Sequence, residues 1–252
     1  MSFTPTVLRF DSLPSTNVEA ARRTTEGAAE GLCIVAAEQT SGRGRLGRQW
    51  ISPKGAGLYF SILLRPTLLQ TLWPLLTLMS AVAVHDALLE SYDLVTDIKW
   101  PNDIVVGDKK LCGILAETVE TNLGAAVVVG IGINLTRHSF PSELQASATS
   151  VEDALGKQID YELILQSLVG NFSARYEGFQ ANGAGNLTEE WCARSSYCNG
   201  KRIRVADGED IFEAVTKGLR IDGGLIVELD NGERRVLRAA DISSVRPAES
   251  VT

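Results

Sequence analysis

The run from Ala125 to Ile133 is almost unbroken in apolar residues, many of them β-branched, and it stops at Asn134. A run of this length without polar alternation predicts a buried strand. Leu32 to Glu38 and Leu58 to Leu64 are similar runs bounded by Gly and Pro, and they predict two more strands. Shorter strands are expected at Ile98 to Trp100, Ile104 to Val106 and Leu111 to Glu117, the last two joined by the hairpin-like turn Gly107-Asp108-Lys109-Lys110. Buried strands need covering helices. Thr16-Asn17-Val18-Glu19 has capping-box spacing and predicts a short helix beginning near Ser15 to Asn17 and stopping at Gly27. A core helix is expected over about Leu72 to Ser91, with Leu75, Met79, Val82 and Leu89 on one stripe, and helical periodicity returns at Tyr161 to Phe179 and Leu187 to Arg194.

After Asn199-Gly200 the texture changes. Strand-like runs at Arg202 to Val205, Phe212 to Leu219, Leu225 to Leu229 and Arg235 to Leu237 alternate with Asp207-Gly208, Asp222-Gly223-Gly224 and Asn231-Gly232. Short strands at that spacing predict a small β-barrel. The expected fold class is therefore α+β, with a mixed-sheet unit over residues 1–199 and a small all-β unit over 200–252.

A chain of 252 residues with 44% apolar and 22% charged residues can bury a full core. Its net charge of -7 argues against a protein held electrostatically on nucleic acid, so any phosphate must be bound by a local patch. The first residues carry neither a basic start nor an apolar core of the signal-peptide kind, which leads us to expect a cytoplasmic protein. The uncharged stretch from Pro66 to Val84 contains Pro74, Gln70 and several hydroxyl residues, and reads as a buried helix rather than a membrane span. Four cysteines without a CxxC and only two histidines give no direct transition-metal ligand set, and Cys33 and Cys112, in apolar runs, are expected to be buried thiols.

Chemistry concentrates in two places. Gly42-Arg43-Gly44-Arg45-Leu46-Gly47-Arg48-Gln49-Trp50 combines glycines, which let backbone N–H groups approach an anion, with arginine forks that bind phosphate or carboxylate oxygens. A solvated surface loop is the plain alternative. The stretch also matches G-x-G-x-x-G, but that dinucleotide motif must open directly into a helix and be followed by a ribose-binding acid, whereas here Trp50, Pro53, Gly55 and a strand follow. The second cluster is Lys99-Trp100-Pro101-Asn102-Asp103 with Lys109-Lys110-Leu111-Cys112-Gly113. Pro101-Asn102-Asp103 suits a tight turn, and Gly113, interrupting a strand, marks a bulge or a close ligand approach.

Ser15-Thr16-Asn17, Gln39, the Gly42 to Trp50 loop, Lys99 to Asp103, Lys110 to Glu117 and Gly130-Ile131-Gly132-Ile133-Asn134 resemble, in order and spacing, the biotin protein ligase family. The resemblance spans most of residues 11–137. It implies a class II synthetase-like, lipoate ligase-like catalytic fold followed by an SH3-like barrel. It also implies ATP with Mg2+ as co-substrate, biotin as substrate, no tightly bound prosthetic group, and a biotin carboxyl carrier protein or domain as acceptor. Homodimerisation is compatible with it. Family members that also repress transcription carry a winged-helix domain before the catalytic unit. This chain starts at that unit, so no DNA partner is expected, and the reading of Pro66 to Val84 as a buried helix leaves no membrane partner expected.

By the same resemblance Arg45 and Lys110 are the catalytic cations. Ser15, Thr16, Asn17, Gln39, Arg43, Gly44, Arg45, Tyr59, Ser61, Lys110 and Gly113 would contact biotin. Arg45, Arg48, Trp50, Asn102, Lys110 and Asn134 would face the nucleotide, while Asp103 would orient the acceptor amine or join the magnesium shell. A lipoate or octanoate ligase or transferase of related fold is the nearest rival reading. A non-catalytic biotin-sensing regulator is the rival from another class.

Overall fold

The computed structural model describes residues 3–207, 210–239 and 242–248. Its strands are β1 (Thr6–Phe10), β2 (Leu32–Ala36), β3 (Gly57–Leu64), β4 (Asp97–Lys99), β5 (Asp103–Val106), β6 (Lys109–Val119), β7 (Ala126–Asn134), β8 (Asn199–Asp207), β9 (Asp210–Leu219), β10 (Leu225–Glu228), β11 (Arg234–Leu237) and β12 (Ile242–Pro247). Its α-helices are α1 (Thr16–Thr25), α2 (Leu75–Tyr92), α3 (Val151–Leu155), α4 (Tyr161–Asn182) and α5 (Leu187–Ala193). One seven-stranded sheet runs β1-β2-β3-β7-β6-β5-β4, and a separate five-stranded antiparallel sheet runs β11-β10-β9-β8-β12. The first sheet is mixed because β1 pairs parallel to β2 while its other pairings are antiparallel.

The apolar runs form the centre of the large sheet. Along β3 and β7 successive side chains go to opposite faces, and both faces are buried. Ile62, Leu64, Val127 and Val129 join the main core under α2 and α4, while Leu63, Ala126 and Val128 pack with Ala20 of α1 on the other side. Helix α2 is buried nearly all round, from Leu75 through Leu88, so its single-stripe reading fails at Leu89, which is 37% exposed beside fully buried Leu88. It also starts later than expected. Residues 70–72 form a 3-10 turn, and the α-helix begins after Pro74, whose ring fixes φ in a way that suits a helix start.

The capping box is corrected as well. Ser15 is the N-cap of α1 without a side-chain capping bond, and Glu19 pairs instead with Arg22 and Arg23. Strand β1 was not foreseen, being five residues long with Arg9 interrupting its apolar pattern. Asn199-Gly200 lies inside β8 rather than before it, with Gly200 at φ 78 and a register shift between Asn199 and Arg202. The expected Asp207-Gly208 turn runs outside the described residues. Cys33 and Cys112 are buried free thiols, and burial pushes the Cys33 thiol up to about 12. Cys192 and Cys198 form a disulfide between α5 and the start of β8, their Cα atoms 5.1 Å apart, a pairing that the sequence reading did not anticipate. Among the described residues no helix is long and apolar enough to cross a membrane.

Candidate active site

The basic glycine stretch is a tight hairpin. Trp50 N donates to Gly42 O at 2.9 Å, Gly44 N donates to Arg48 O at 2.7 Å, and Arg43 bridges Gln49. At its tip Leu46 adopts φ 56, a left-handed conformation uncommon for a branched residue. Gly42 is required where it stands, since a Cβ there would lie 2.2 Å from Trp50 O.

The hairpin lays Trp50 over a bare patch of the large sheet. Gly113 on β6 pairs with Gly132 on β7, so two missing side chains are adjacent on one surface. A Cβ on Gly132 would be 2.5 Å from Trp50 Nε1, and one on Gly113 would be 3.0 Å from the same indole. The register shift falls between Ile104 and Val105 opposite residues 110–112, so Gly113 is not itself a bulge. Its missing side chain makes room for a ring. Among the described residues Trp50 Nε1 is buried without an acceptor, a donor that a bound ligand's acceptor would satisfy.

A cation stands over this indole. Lys110 Nζ lies 5.3 Å from the Trp50 ring centroid and 2.6 Å from Asp103 Oδ1. Asp103 is the first residue of β5, paired with Lys99 across a hairpin closed by Trp100-Pro101-Asn102, so it is a strand residue rather than part of the turn. The Trp100-Pro101 bond is cis. Asn102 is held by two bonds with Ile114, Nδ2 donating to its O and its own O accepting from Ile114 N, both at 2.9 Å. Arg45 reaches down from the hairpin tip and donates from Nη1 to Asn102 Oδ1 at 3.1 Å and from Nη2 to Ala239 O. Burial pulls the pKa of Arg45 down, opposed by Asp103, and burial likewise lowers that of Lys99. Cations whose charge is costly to bury gain most from a nearby anion.

The uncharged polar residues form a second group on the same sheet. Thr16 N donates to Gln39 Oε1 at 2.8 Å, and Gln39 Nε2 donates to Ser52 Oγ at 2.8 Å. Ser61 Oγ is 2.7 Å from Thr16 Oγ1 and 2.6 Å from Asn17 Oδ1. Asn17 sits directly over Gly130, where a Cβ would come within 2.1 Å of its Oδ1. Tyr59 is buried on β3 and donates its hydroxyl to Pro53 O at 2.9 Å; burial drives its pKa up, so it stays a neutral phenol. Asn134, at the end of β7, donates to Thr149 O at 3.1 Å, beside a cleft of about 270 Å³ lined by Lys109, Arg137, Phe140, Thr149 and Asp153.

The structure thus brings together two sets of expected residues. Arg45, Trp50, Asn102, Asp103, Lys110 and Gly113 form a connected charged cluster, and Thr16, Asn17, Gln39 and Ser61 form a connected neutral one. Ser15 is buried at the start of α1, and Asn134 stands apart on the strand end, bonded to the Thr149 backbone. Arg43 turns its side chain away to Glu117. Arg48 caps the hairpin tip, its N donating to Arg45 O at 3.2 Å. Gly130, Gly132, Ser52 and Glu117 were not singled out as site residues. The motif Gly130 to Asn134 was visible, but what its glycines make room for was not.

Comparison with known proteins gives the family of the chain. Residues 7–134 match the Biotin/lipoate A/B protein ligase family, and residues 200–244 match the Biotin protein ligase C terminal domain. The chain is 36% identical over 240 residues to the Bifunctional ligase/repressor BirA of Bacillus subtilis, covering 92% of this chain and 72% of that protein. It is 32% identical to the Biotin--[acetyl-CoA-carboxylase] ligase of Paracoccus denitrificans, covering 90% of this chain and 96% of that one. The biotin protein ligase from Aquifex aeolicus in complex with biotin and ATP superposes with a TM-score of 0.84 at 28% identity, covering 97% of this chain and all of that one. With both its catalytic and its C-terminal regions matched, the chain belongs to the biotin/lipoate A/B protein ligase family, among its biotin protein ligases.

Proposed function

We propose that this biotin protein ligase activates biotin on the Trp50 face of its large sheet and passes it to a lysine of a biotin carboxyl carrier domain. Lys110 beside the indole laid over Gly113 and Gly132, with Arg45 bonded to Asn102 at the head of the same β5–β6 hairpin, carries the reading. In the first step a biotin carboxylate oxygen attacks the α-phosphorus of Mg-ATP, the bond to the bridging oxygen breaks, and pyrophosphate leaves. Two anions must meet, so cations placed before the reaction are the main contribution. A charge contact near 4 Å stabilises by about 4 kcal/mol at an effective dielectric of 20. In the second step the carrier lysine nitrogen attacks the acyl carbon, AMP leaves, and the amine loses its proton.

The neutral cluster suits biotin's ureido ring, which needs both donors and acceptors once buried. Ser15, Thr16, Asn17, Gln39, Tyr59, Ser61 and Gly113, with the Arg43 to Arg45 backbone, form that half of the site. Arg45, Arg48, Trp50, Asn102, Lys110 and Asn134 form the nucleotide half. Magnesium is a hard ion that prefers oxygen and travels on nucleotide phosphates. Asp103 is the carboxylate of the charged cluster that would meet it, or that would orient the acceptor amine once Lys110 turns to the phosphate.

The separate matches to residues 7–134 and 200–244 support a division into 1–199 and 200–252, with Asn199 already the first residue of β8 in the second sheet. The reading also places the chain in the cytoplasm, leaves homodimerisation open to measurement, and, with net charge -7, assigns no DNA partner.

Incubation with biotin, Mg-ATP and a purified carrier domain tests the transfer. One biotinyl group on one lysine of the carrier is the expected product. Adenylate formation without any acylated carrier would remove the transfer step from the proposal.

A further inference from the structure

Glu117 lies on β6 beyond Gly113, and among the described residues its bonds go to Arg43 and Asn17. Its two carboxylate oxygens do different things. Oε1 is 2.8 Å from Arg43 Nη2 on the first arm of the hairpin, and Oε2 accepts from Asn17 Nδ2 at 2.8 Å. From Asn17 the polar chain continues through Ser61, Thr16 and Gln39 to Ser52, whose Oγ donates to Trp50 O at 3.2 Å on the second arm. Both arms of the basic hairpin are therefore joined to the neutral cluster, and Glu117 is the carboxylate at that junction.

An ion pair exposed to the degree of Arg43 and Glu117, 51% and 28%, contributes little to stability by itself. The second oxygen changes its role. Because it accepts from Nδ2, the amide of Asn17 is oriented with Oδ1 toward Ser61, and Nδ2 makes a longer second bond to Leu115 O at 3.3 Å. Asn17 also rests directly on Gly130, so it has little room to rotate.

We propose that Glu117 is a positioning residue for the biotin half of the reaction, tying the Gly42 to Trp50 hairpin through Arg43 to the pocket amide of Asn17 before substrate arrives. It touches no reacting atom. The hairpin backbone at Arg43 to Arg45 and the donor-acceptor order of the pocket are set together by one carboxylate. This inference rests on the biotin reading of the Asn17, Ser61, Thr16 and Gln39 cluster.

Two measurements test it. Hydrogen exchange of the 42–50 amides in the substrate-free protein reads the tie without any biotin chemistry, and pyrophosphate-release kinetics read its consequence. Glu117→Gln keeps the size and an acceptor but loses the charge. It is expected to speed exchange in the hairpin by about 5- to 10-fold and to raise KM for biotin by a similar factor, the scale of one partly exposed charge-assisted bond. KM for ATP and kcat should change by less than KM for biotin, since the bonds of Arg45 to Asn102 and of Lys110 to Asp103 remain to hold the nucleotide half. Arg43→Lys, which keeps a cation, should recover most of the loss seen in Arg43→Gln. The double variant Arg43→Gln with Glu117→Gln should be no worse than the poorer single one, as coupled residues are not additive. Unchanged exchange and biotin KM in Glu117→Gln, or fully additive losses in the double variant, would overturn the proposal. A shift in KM for ATP instead of biotin would also overturn it. If the wild-type protein forms no biotinyl adenylate, the functional reading fails on its own, while exchange in the hairpin still reports whether the tie exists. A melting curve for each variant separates these effects from misfolding.

Discussion

Lys110 Nζ stands 2.6 Å from Asp103 Oδ1 and 5.3 Å from the centre of the Trp50 ring, so one cation is shared between an acid on β5 and an indole carried by the hairpin. The pair rests on local chain order. A register shift in the β5–β6 hairpin places Lys110 across from Val105 and Gly113 across from Asp103, which leaves the lysine beside the carboxylate and above the bare glycine surface. A phosphate entering there would find a cation already placed and a carboxylate ready to release it.

Removing that cation should affect chemistry far more than folding. Lys110→Ala is expected to lower the rate of pyrophosphate release by at least about 100-fold at saturating substrates, the usual scale for one preorganised electrostatic contact. The melting temperature should change little, since Lys110 is 36% exposed. A release rate near that of the wild type would take Lys110 out of its catalytic role.

The glycine surface makes a separable prediction. Gly132→Val would drive a side chain into Trp50, because even a Cβ would stand 2.5 Å from its Nε1, and KM for ATP should rise by about 10-fold or more with loss of one aromatic contact and its neighbours. Gly27→Ala is the contrast. Gly27 has φ 90, and a Cβ there would meet nothing within 4 Å among the described residues, so alanine there should cost about 1–2 kcal/mol of stability from backbone strain and leave both KM values alone. Equal kinetic effects from the two substitutions would contradict a role for the sheet patch in holding the indole.

His85 supplies a pH dependence of stability. It is buried on α2, its Nδ1 is 2.9 Å from Thr96 Oγ1, and burial lowers its pKa from the ordinary 6.5, with Arg194 adding to the shift and Asp86 and Asp97 opposing it. The unfolded chain therefore takes up this proton at a higher pH than the folded one does. Its contribution to stability is complete above 6.5 and declines as the pH falls below that value toward the folded pKa. Urea midpoints measured between about pH 5 and 7.5 should drop on the acid side, and His85→Gln should flatten part of that drop. An identical slope in the variant would show that other groups carry the acid sensitivity.

Much of this architecture is legible along the chain. The strands β2, β3 and β7 announce themselves as apolar runs because each is buried by helices, and the basic hairpin is visible because three arginines crowd an otherwise acidic protein. What was missed depends on partners distant in sequence. Strand β1 is too short and too polar to read alone, and it pairs with β2 only after α1 has crossed between them. Leu89 fits the helical stripe on paper, but the ring of neighbours around α2 buries Leu88 instead. Glu117 looks like an ordinary strand residue until Arg43 and Asn17 arrive at its two oxygens, and Gly132 is only a glycine until Trp50 lies on it.

The central claim is that the Trp50 face of the sheet joins biotin to AMP. The most direct measurement mixes the pure protein with biotin and Mg-ATP, without a carrier, and looks for biotinyl-5'-AMP by mass spectrometry, with lipoate and octanoate in parallel. Biotinyl-5'-AMP from biotin alone is the predicted result, because the neutral cluster is built for a group that both donates and accepts hydrogen bonds. Adenylates from lipoate or octanoate in place of biotin, or none from any of the three acids, would contradict the account.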